Sequence, residues 1–198
     1  MTGVDIVPNH ADLVLPLPLY VTVEIGTLYG KDGRQFSIVA GLDQKSAAQL
    51  KERSLDPSDD ELQQNTSDKR RFGDGSYEEW YAKGRVPFAL LDAEQNIAAL
   101  VWMGPQTFPA GVQNPFPGRE WDTVAFRAYV PYRGRGLMVP FSSFVMQTYV
   151  KLRPGRMVWL ETNVDNTVGQ GLFRKLGFQE HGYCGEPRRL VMVKGDVE

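Results

Sequence analysis

Seven consecutive residues, Tyr132-Arg133-Gly134-Arg135-Gly136-Leu137-Met138, carry the clearest chemistry in this chain. They join an apolar, strand-like run (residues 123–130) to an amphipathic, helix-like run (139–152). A glycine-rich turn that feeds a helix start leaves backbone N–H groups without acceptors, and the helix dipole adds positive potential. Such a turn holds an anion, usually a phosphate or pyrophosphate. Two glycines let a ligand approach the backbone, and Arg133 and Arg135 bring charge. Taken alone, the loop fits an ordinary surface turn with two solvated arginines equally well. Other chemistries lack their residues. The loop has neither the Gly-Lys-Ser/Thr of a P-loop nor the third glycine of a dinucleotide fingerprint. The two histidines, His10 and His181, have no cysteine or carboxylate at ligand spacing, so no metal is expected. No serine or cysteine stands in a nucleophile-elbow setting.

The elements that must position this loop belong to a chain of 198 residues, 42% hydrophobic and 23% charged, which suits one domain with a real core. A net charge of -2 gives no support to a nucleic-acid partner, which would favour a basic face. The single cysteine, Cys184, excludes an internal disulfide framework and suits a reducing compartment. The N-terminal stretch is apolar at Leu13, Val14, Leu15, Leu17 and Leu19. It lacks a basic leader and carries Pro16 and Pro18, so neither a signal peptide nor a membrane span is expected. The expectation is a soluble cytoplasmic protein.

Residues 21–24 and 35–40 read as strands, with Gly26, Gly30 and Gly33 punctuating the gap, and 43–53 as a helix. In the polar segment 55–68, Ser58 and Glu61 have capping-box spacing. Asp56, Asp59, Asp60 and Glu61 read better as a solvated helix start than as a site for a cationic substrate. Lys69, Arg70 and Arg71 read as a solvated helix end, and 77–83 as a short helix turning Trp80 or Tyr81 inward. Residues 86–91 and 97–103 form a hairpin so apolar that its sheet must be covered on both faces. The Pro- and Gly-rich stretch 104–120 is a loop long enough to be functional or mobile, and to cover a substrate site. Strands follow at 121–130 and 156–162. A helix spans 166–176, with Val168, Leu172 and Leu176 on one face and Gly177 as its left-handed cap. Strands at 178–181 and 188–193, joined through 182–185, close the chain. This order gives a mixed α/β (α+β) domain with a central sheet.

At this point the residues resemble the GCN5-related N-acetyltransferases (GNAT). That family's acetyl-CoA loop follows Arg/Gln-x-x-Gly-x-Gly/Ala between a strand and a long helix. Arg133, Gly134, Arg135 and Gly136 fit it, while Met138 stands where Gly or Ala is usual. A second signature is an Asn, a helix, and a Tyr followed closely by Gly-Phe. Here it reads Asn166, then Leu172-Phe173-Arg174-Lys175-Leu176-Gly177-Phe178. The resemblance covers about residues 86–194, leaving 1–85 as a variable, acceptor-side part. It implies a single acyltransferase domain over residues 1–198, with a mostly antiparallel sheet flanked by helices and splayed between the strands near 121–130 and 156–162. It implies transfer of an acetyl group from acetyl-CoA to an amine by direct attack in a ternary complex. The pyrophosphate would lie on Arg133, Gly134, Arg135, Gly136, Leu137, Met138 and Val139. The pantetheine would run beside Ala128, Tyr129 and Val130, with Asn166 and Phe173 nearby.

Such a reaction needs an amine proton removed, an oxyanion stabilised and a thiolate released. Within the family, ribosomal-protein alanine acetyltransferases carry a Glu, an Asn five residues on, and a Tyr seven further. Glu161, Asn166 and Phe173 fall at those spacings, which makes Glu161 the candidate general base, directly or through a water. Strand periodicity puts Trp159, Glu161 and Asn163 on one face and Leu160 and Thr162 on the other. Partial desolvation beside Leu160 would improve Glu161 as a proton acceptor; a charged residue at a solvated strand end is the alternative. Phe173 replaces the Tyr hydroxyl that would protonate the thiolate. Tyr129, Tyr132, Cys184 or a water could serve instead, with Tyr183 carried forward as candidate acid, or the thiolate leaves unaided. Phe173 and Met138 also leave open a non-catalytic acyl-CoA sensor, or a transferase for a longer acyl-CoA. The acceptor amine belongs to a small molecule, a protein N-terminus or a lysine. Exposed C-terminal edge strands leave a homodimer open.

Overall fold

The apolar hairpin forms the middle of the molecule. Strands β4 (Val86–Leu91) and β5 (Ile97–Pro105) are buried at every residue up to Gly104. Residues of alternating direction feed two cores, as an uninterrupted apolar run requires. Phe88, Leu90, Ala99 and Val101 join the core under helices α4 (Met138–Leu152) and α5 (Thr167–Lys175). Ala89, Leu91, Leu100 and Trp102 join the core under α1 (Gln44–Leu55), α2 (Asp60–Asn65), a π-helical turn (Lys69–Gly73) and α3 (Tyr77–Tyr81). This computed structural model describes residues 4–9 and 12–195, so His10 lies outside the described residues.

Around that hairpin runs a nine-stranded sheet in the order β1-β2-β3-β4-β5-β6-β7-β9-β8. Its remaining strands are β1 (Asp5–Pro8), β2 (Val23–Tyr29), β3 (Gln35–Ala40), β6 (Trp121–Ala128), β7 (Met157–Asn163), β8 (Phe178–Cys184) and β9 (Arg189–Lys194). Every neighbouring pair is antiparallel except β6–β7. The mixed, mostly antiparallel sheet is therefore as expected, with β8 as its C-terminal edge strand.

The parallel pair is short. It joins Trp121 to Met157, Asp122 to Val158 and Thr123 to Trp159, and then stops. Beyond Thr123, β6 stays with β5 as far as Ala128, and β7 stays with β9 as far as Asn163. The two strands diverge into a wedge, which is the expected splay. The base of the wedge is clamped around buried Asp122. Its carboxylate accepts from the Tyr149 hydroxyl of α4 at 2.6 Å and from Arg156 Nε at 2.7 Å. Arg156 also donates to the Trp121 carbonyl and pairs with Glu120.

Several local expectations are corrected. Gly26 lies inside β2, not in a turn. The register slips between Glu24 and Gly26, and a Cβ there would stand 3.1 Å from the Val7 carbonyl oxygen and 3.3 Å from the Phe144 ring. Asp59, not Ser58, caps α2, accepting from the Leu62 N–H at 3.0 Å, while the Ser58 hydroxyl turns back to Asp56. Lys69, Arg70 and Arg71 lie in the π-helical turn, with Arg71 held on buried Asp68. Val168 is 76% exposed because α5 turns that residue toward the wedge, while Leu172 and Leu176 do pack inward. Gly177, at φ 87°, ends α5 as expected. β8 runs on through residues 182–184 with a register slip between Glu180 and Gly182, so the chain reverses at 185–188 instead. The 104–120 loop is fastened down: Phe108 is buried against Trp121 and Trp159, and the His181 ring bonds the Gln113 carbonyl at 2.6 Å.

Candidate active site

The opening loop takes its shape from two left-handed glycines. Gly134 and Gly136 both have φ 75°. A Cβ at either would meet nothing closer than 4.0 Å, so the backbone conformation, not crowding, demands glycine. Alternating left-handed residues gather N–H groups on one side. Helix α4 then begins at Met138 without a capping side chain, so its first-turn N–H groups stay available. The arginines do something other than add free charge. Arg133 grips Asp59 with two bonds of 2.8 and 2.7 Å, and its Nε donates to the Ala128 carbonyl at 2.7 Å. Arg135 reaches Asp32 at 3.3 Å and the Pro131 carbonyl at 3.0 Å. Both are struts, each matched by a carboxylate. The cation left beside the loop is Lys31, near Gly136, which has no carboxylate partner among the described residues. It comes from the β2–β3 turn, a long-range neighbour that no local pattern reveals.

A cleft of about 400 Å³ fills the wedge. The loop from Arg133 through Val139 lines one end, and β6 from Thr123 to Ala128, β7 from Trp159 to Thr162, and α5 line its walls. Ala128, Glu161, Asn166 and Phe173 meet the loop at one cavity. Tyr129 and Val130 do not line it. The Tyr129 ring is buried in the opposite core beneath the Arg53 guanidinium, at 4.9 Å, and its N–H bonds the Ala98 carbonyl. Val130 is exposed, its carbonyl facing Arg53.

Glu161 stands at the cleft with its side chain 41% exposed, ion-paired to Arg189 at 3.2 Å. Leu160 does not cover Glu161, because the strand pleat sends Leu160 into the core under α4 and α5. Oε2 accepts from the Cys184 thiol at 3.4 Å. Partial burial, then this bond, push the thiol up to about 11, so Cys184 stays protonated near neutral pH and acts as a donor. Asn166 spends both polar atoms on structure: Oδ1 caps the Gly169 N–H at 2.9 Å, and Nδ2 donates to Thr162 Oγ1 at 3.0 Å. Phe173 packs on Phe126, ring centres 5.3 Å apart, and makes that wall apolar.

No protein-family model and no curated protein matches this sequence. Solved structures match its fold. RimJ from Mycobacterium smegmatis, in complex with CoA-disulfide, is 14% identical with a TM-score of 0.62, over 88% of this chain and 87% of that one. Spermidine N-acetyltransferase from Vibrio cholerae, in complex with CoA and spermine, is 14% identical with a TM-score of 0.58, over 79% and 95%. The GNAT domain of PAT from S. lividans is 16% identical with a TM-score of 0.54, over 84% and 95%. The chain has the GNAT fold.

Within this GNAT fold the tyrosines are poorly disposed as acids. Tyr132 lines the cleft, but its hydroxyl donates to Asp92; burial, then that bond, push it up to about 12. Tyr183 lies outside the lining, 45% exposed, with the Arg188 guanidinium 3.7 Å above its ring. Sequence reasoning missed the arginine network at the π-helical-turn end of the cleft. Arg127, on β6, clamps buried Asp68 with bonds of 2.5 and 2.7 Å, and Arg71 adds a third at 2.7 Å. Burial pushes Asp68 up, but the two guanidiniums pull it further down, leaving it below the ordinary carboxylate range. The available signal was Arg127 itself, a charge inside an apolar strand. Among the described residues no group of three or more His, Cys, Asp or Glu could hold a metal, and no helix is long and apolar enough to cross a membrane.

Proposed function

We propose that this protein is a cytoplasmic N-acetyltransferase that moves an acetyl group from acetyl-CoA to an amine in a ternary complex. The observation that carries this reading is the shared cleft, where the glycine loop and Glu161 face one wedge whose β6 wall, still paired with β5, has no β7 partner beyond Thr123. On this reading the pyrophosphate rests on the loop N–H groups, and the pantetheine runs back along β6 with its amides bonded to the free strand edge. The amine enters from the α2 and π-turn side. Its lone pair attacks the thioester carbon, the carbonyl becomes an oxyanion, and collapse breaks the C–S bond. Glu161 takes the amine proton, directly or through a water, while Arg189 positions its carboxylate. Phe173 can only pack, Tyr132 is tied to Asp92 and the Cys184 thiol is turned to Glu161, so on this reading the CoA thiolate departs without a protein acid. The CoA bound in the RimJ structure and the CoA and spermine in the spermidine acetyltransferase support donor and acceptor of these kinds.

The test follows labelled acetyl from acetyl-CoA into a panel of amines. Glu161→Gln is expected to lower turnover about 10²–10⁴-fold while leaving acetyl-CoA affinity within about twofold; unchanged turnover removes Glu161 from the mechanism. Phe173 favours one second reading, an acyl-CoA-binding sensor. Tight donor binding with no transfer to any amine selects it. Met138, beside the apolar Phe126 and Phe173 wall, makes donor length a further variable, read by competition among acyl-CoAs of increasing chain length.

A further inference from the structure

Next to the cleft lies a second cavity of about 310 Å³, under α3 and the π-helical turn. It shares Ser67, Arg71, Trp102 and Gln106 with the cleft and has no residue of the donor loop in its lining.

The walls of this cavity are unusual in charge. Arg70, Arg71, Lys83 and Arg85 line it against a single carboxylate, Glu79. Arg70 and Lys83 are exposed and have no carboxylate partner among the described residues. Arg71 has Asp68, but Asp68 is already gripped by Arg127. Arg85 is buried and bonded only to neutral acceptors, the Pro105 carbonyl at 2.9 Å and the Gln106 side chain at 2.7 Å. Arg71 and Arg85 both stand over the Trp102 indole, at 5.2 and 5.3 Å. Burial, then repulsion from Arg127 and Arg85, lowers Arg71 despite its carboxylate. Donors are in surplus as well. Arg85 Nε, Trp80 Nε1 and Trp102 Nε1 are buried without an acceptor, on residues that all line the cavity and are each more than nine-tenths buried. Buried donors of this kind are rare in native folds and call for an explanation. A solvated basic patch would account for Arg70 and Lys83, but not for these.

We infer that the cavity is an oxyanion subsite, and that the acceptor is a small amine carrying its own carboxylate or phosphate, held there while its amino group reaches the cleft. Guanidinium groups suit the several acceptor oxygens of such a group. The acceptor assignment rests on the proposed transferase reading; the subsite does not. A polyamine, all cation, meets repulsion at this wall.

Two measurements test the inference. In the first, labelled acetyl-CoA is offered with O-phosphoethanolamine, β-alanine, ethanolamine and spermidine. At least one oxyanion-bearing amine is expected to half-saturate the enzyme at a concentration tenfold or more below that of ethanolamine. The two anionic probes separate phosphate from carboxylate. In the double substitution Arg70→Gln/Lys83→Gln, made at exposed positions, that ratio is expected to collapse toward one. Preference for ethanolamine or spermidine, or a preference that survives the substitution, overturns it. In the second, inorganic phosphate and, separately, acetate are titrated into CoA-saturated protein, with tryptophan fluorescence reporting on Trp80 and Trp102. Saturable quenching by either anion that is lost in the double variant supports the subsite; no saturable change with either overturns it. Quenching without transfer to any amine upholds the subsite and rejects the transferase reading.

Discussion

On the proposed function, the donor end of the cleft and the acceptor-end cavity beside it present positive potential by different means. At the donor end the backbone provides it, through N–H groups set by Gly134, Gly136 and the uncapped start of α4, while Arg133 and Arg135 are spent on Asp59 and Asp32. At the acceptor end side chains provide it, from Arg70 and Lys83 without carboxylates and from arginines laid over Trp102. Backbone donors are fixed in advance and keep one geometry. Long cationic side chains lose up to about 2 kcal/mol of rotamer entropy each when ordered. The first arrangement suits one constant partner, the second a group whose position must adjust. An arginine in a glycine-rich loop is therefore not automatically a ligand; here both are braces.

That contrast can be broken or sharpened by substitution. The largest effect is expected at Asp68, where the acceptor end is held together. Asp68→Asn leaves Arg127 in a buried site without its counter-charge, a loss of about 3–5 kcal/mol, read from denaturant unfolding at neutral pH. Asp68 is held below the ordinary carboxylate range. Its contribution is thus present above an ordinary carboxylate pKa of about 4 and lost as pH falls through the lower folded value. The gap between wild type and variant should narrow below about pH 4; a constant gap would mean that the charge is not what matters. At the donor end, Gly134→Val forces a β-branched residue to φ 75°, at about 1–2 kcal/mol. Roughly tenfold weaker acetyl-CoA binding is expected by calorimetry. Arg135→Gln removes only a partly exposed pair, worth about 0–1 kcal/mol. A larger loss from Arg135→Gln than from Gly134→Val would reverse the division between backbone and side chain. The smallest effect is expected at Phe173→Tyr, with turnover changed by less than about twofold if the thiolate leaves unaided. A tenfold gain would show that a missing acid limits the rate.

The same contrast explains what could be read from sequence. The donor end is built from contiguous chain, strand to glycine loop to helix, with a second strand and helix close behind. Its parts keep their order and spacing, so the resemblance to the GNAT family implies one common place for Gly134, Gly136, Glu161, Asn166 and Phe173. The acceptor end gathers residues from the π-helical turn, α3, β5 and the loop after it, and each looks ordinary alone. Lys69, Arg70 and Arg71 resemble any solvated run, and Asp68 becomes a buried counter-ion only when β6 brings Arg127 against it. Val168 shows the limit of periodicity: the helical pattern groups it with Leu172 and Leu176, but only those two reach the core, while Val168 meets the open wedge. Glu161 lines the same cavity as the loop but with surroundings other than those expected, since a strand's alternation specifies direction and not what lies there.

The short β6–β7 ladder has a mechanical consequence. Of the sheet's own hydrogen bonding, three residue pairs and the Asp122 clamp join the β1–β6 slab to the β7–β9–β8 slab, and side-chain packing on both faces crosses the same seam. On the proposed function, the donor's pantetheine arm is a removable strand that completes the seam, so cofactor occupancy and rigidity become one variable. Donor at a hundred times its dissociation constant would add about 2.7 kcal/mol to the folded state. The amides along the open edge of β6 would be where hydrogen exchange slows first.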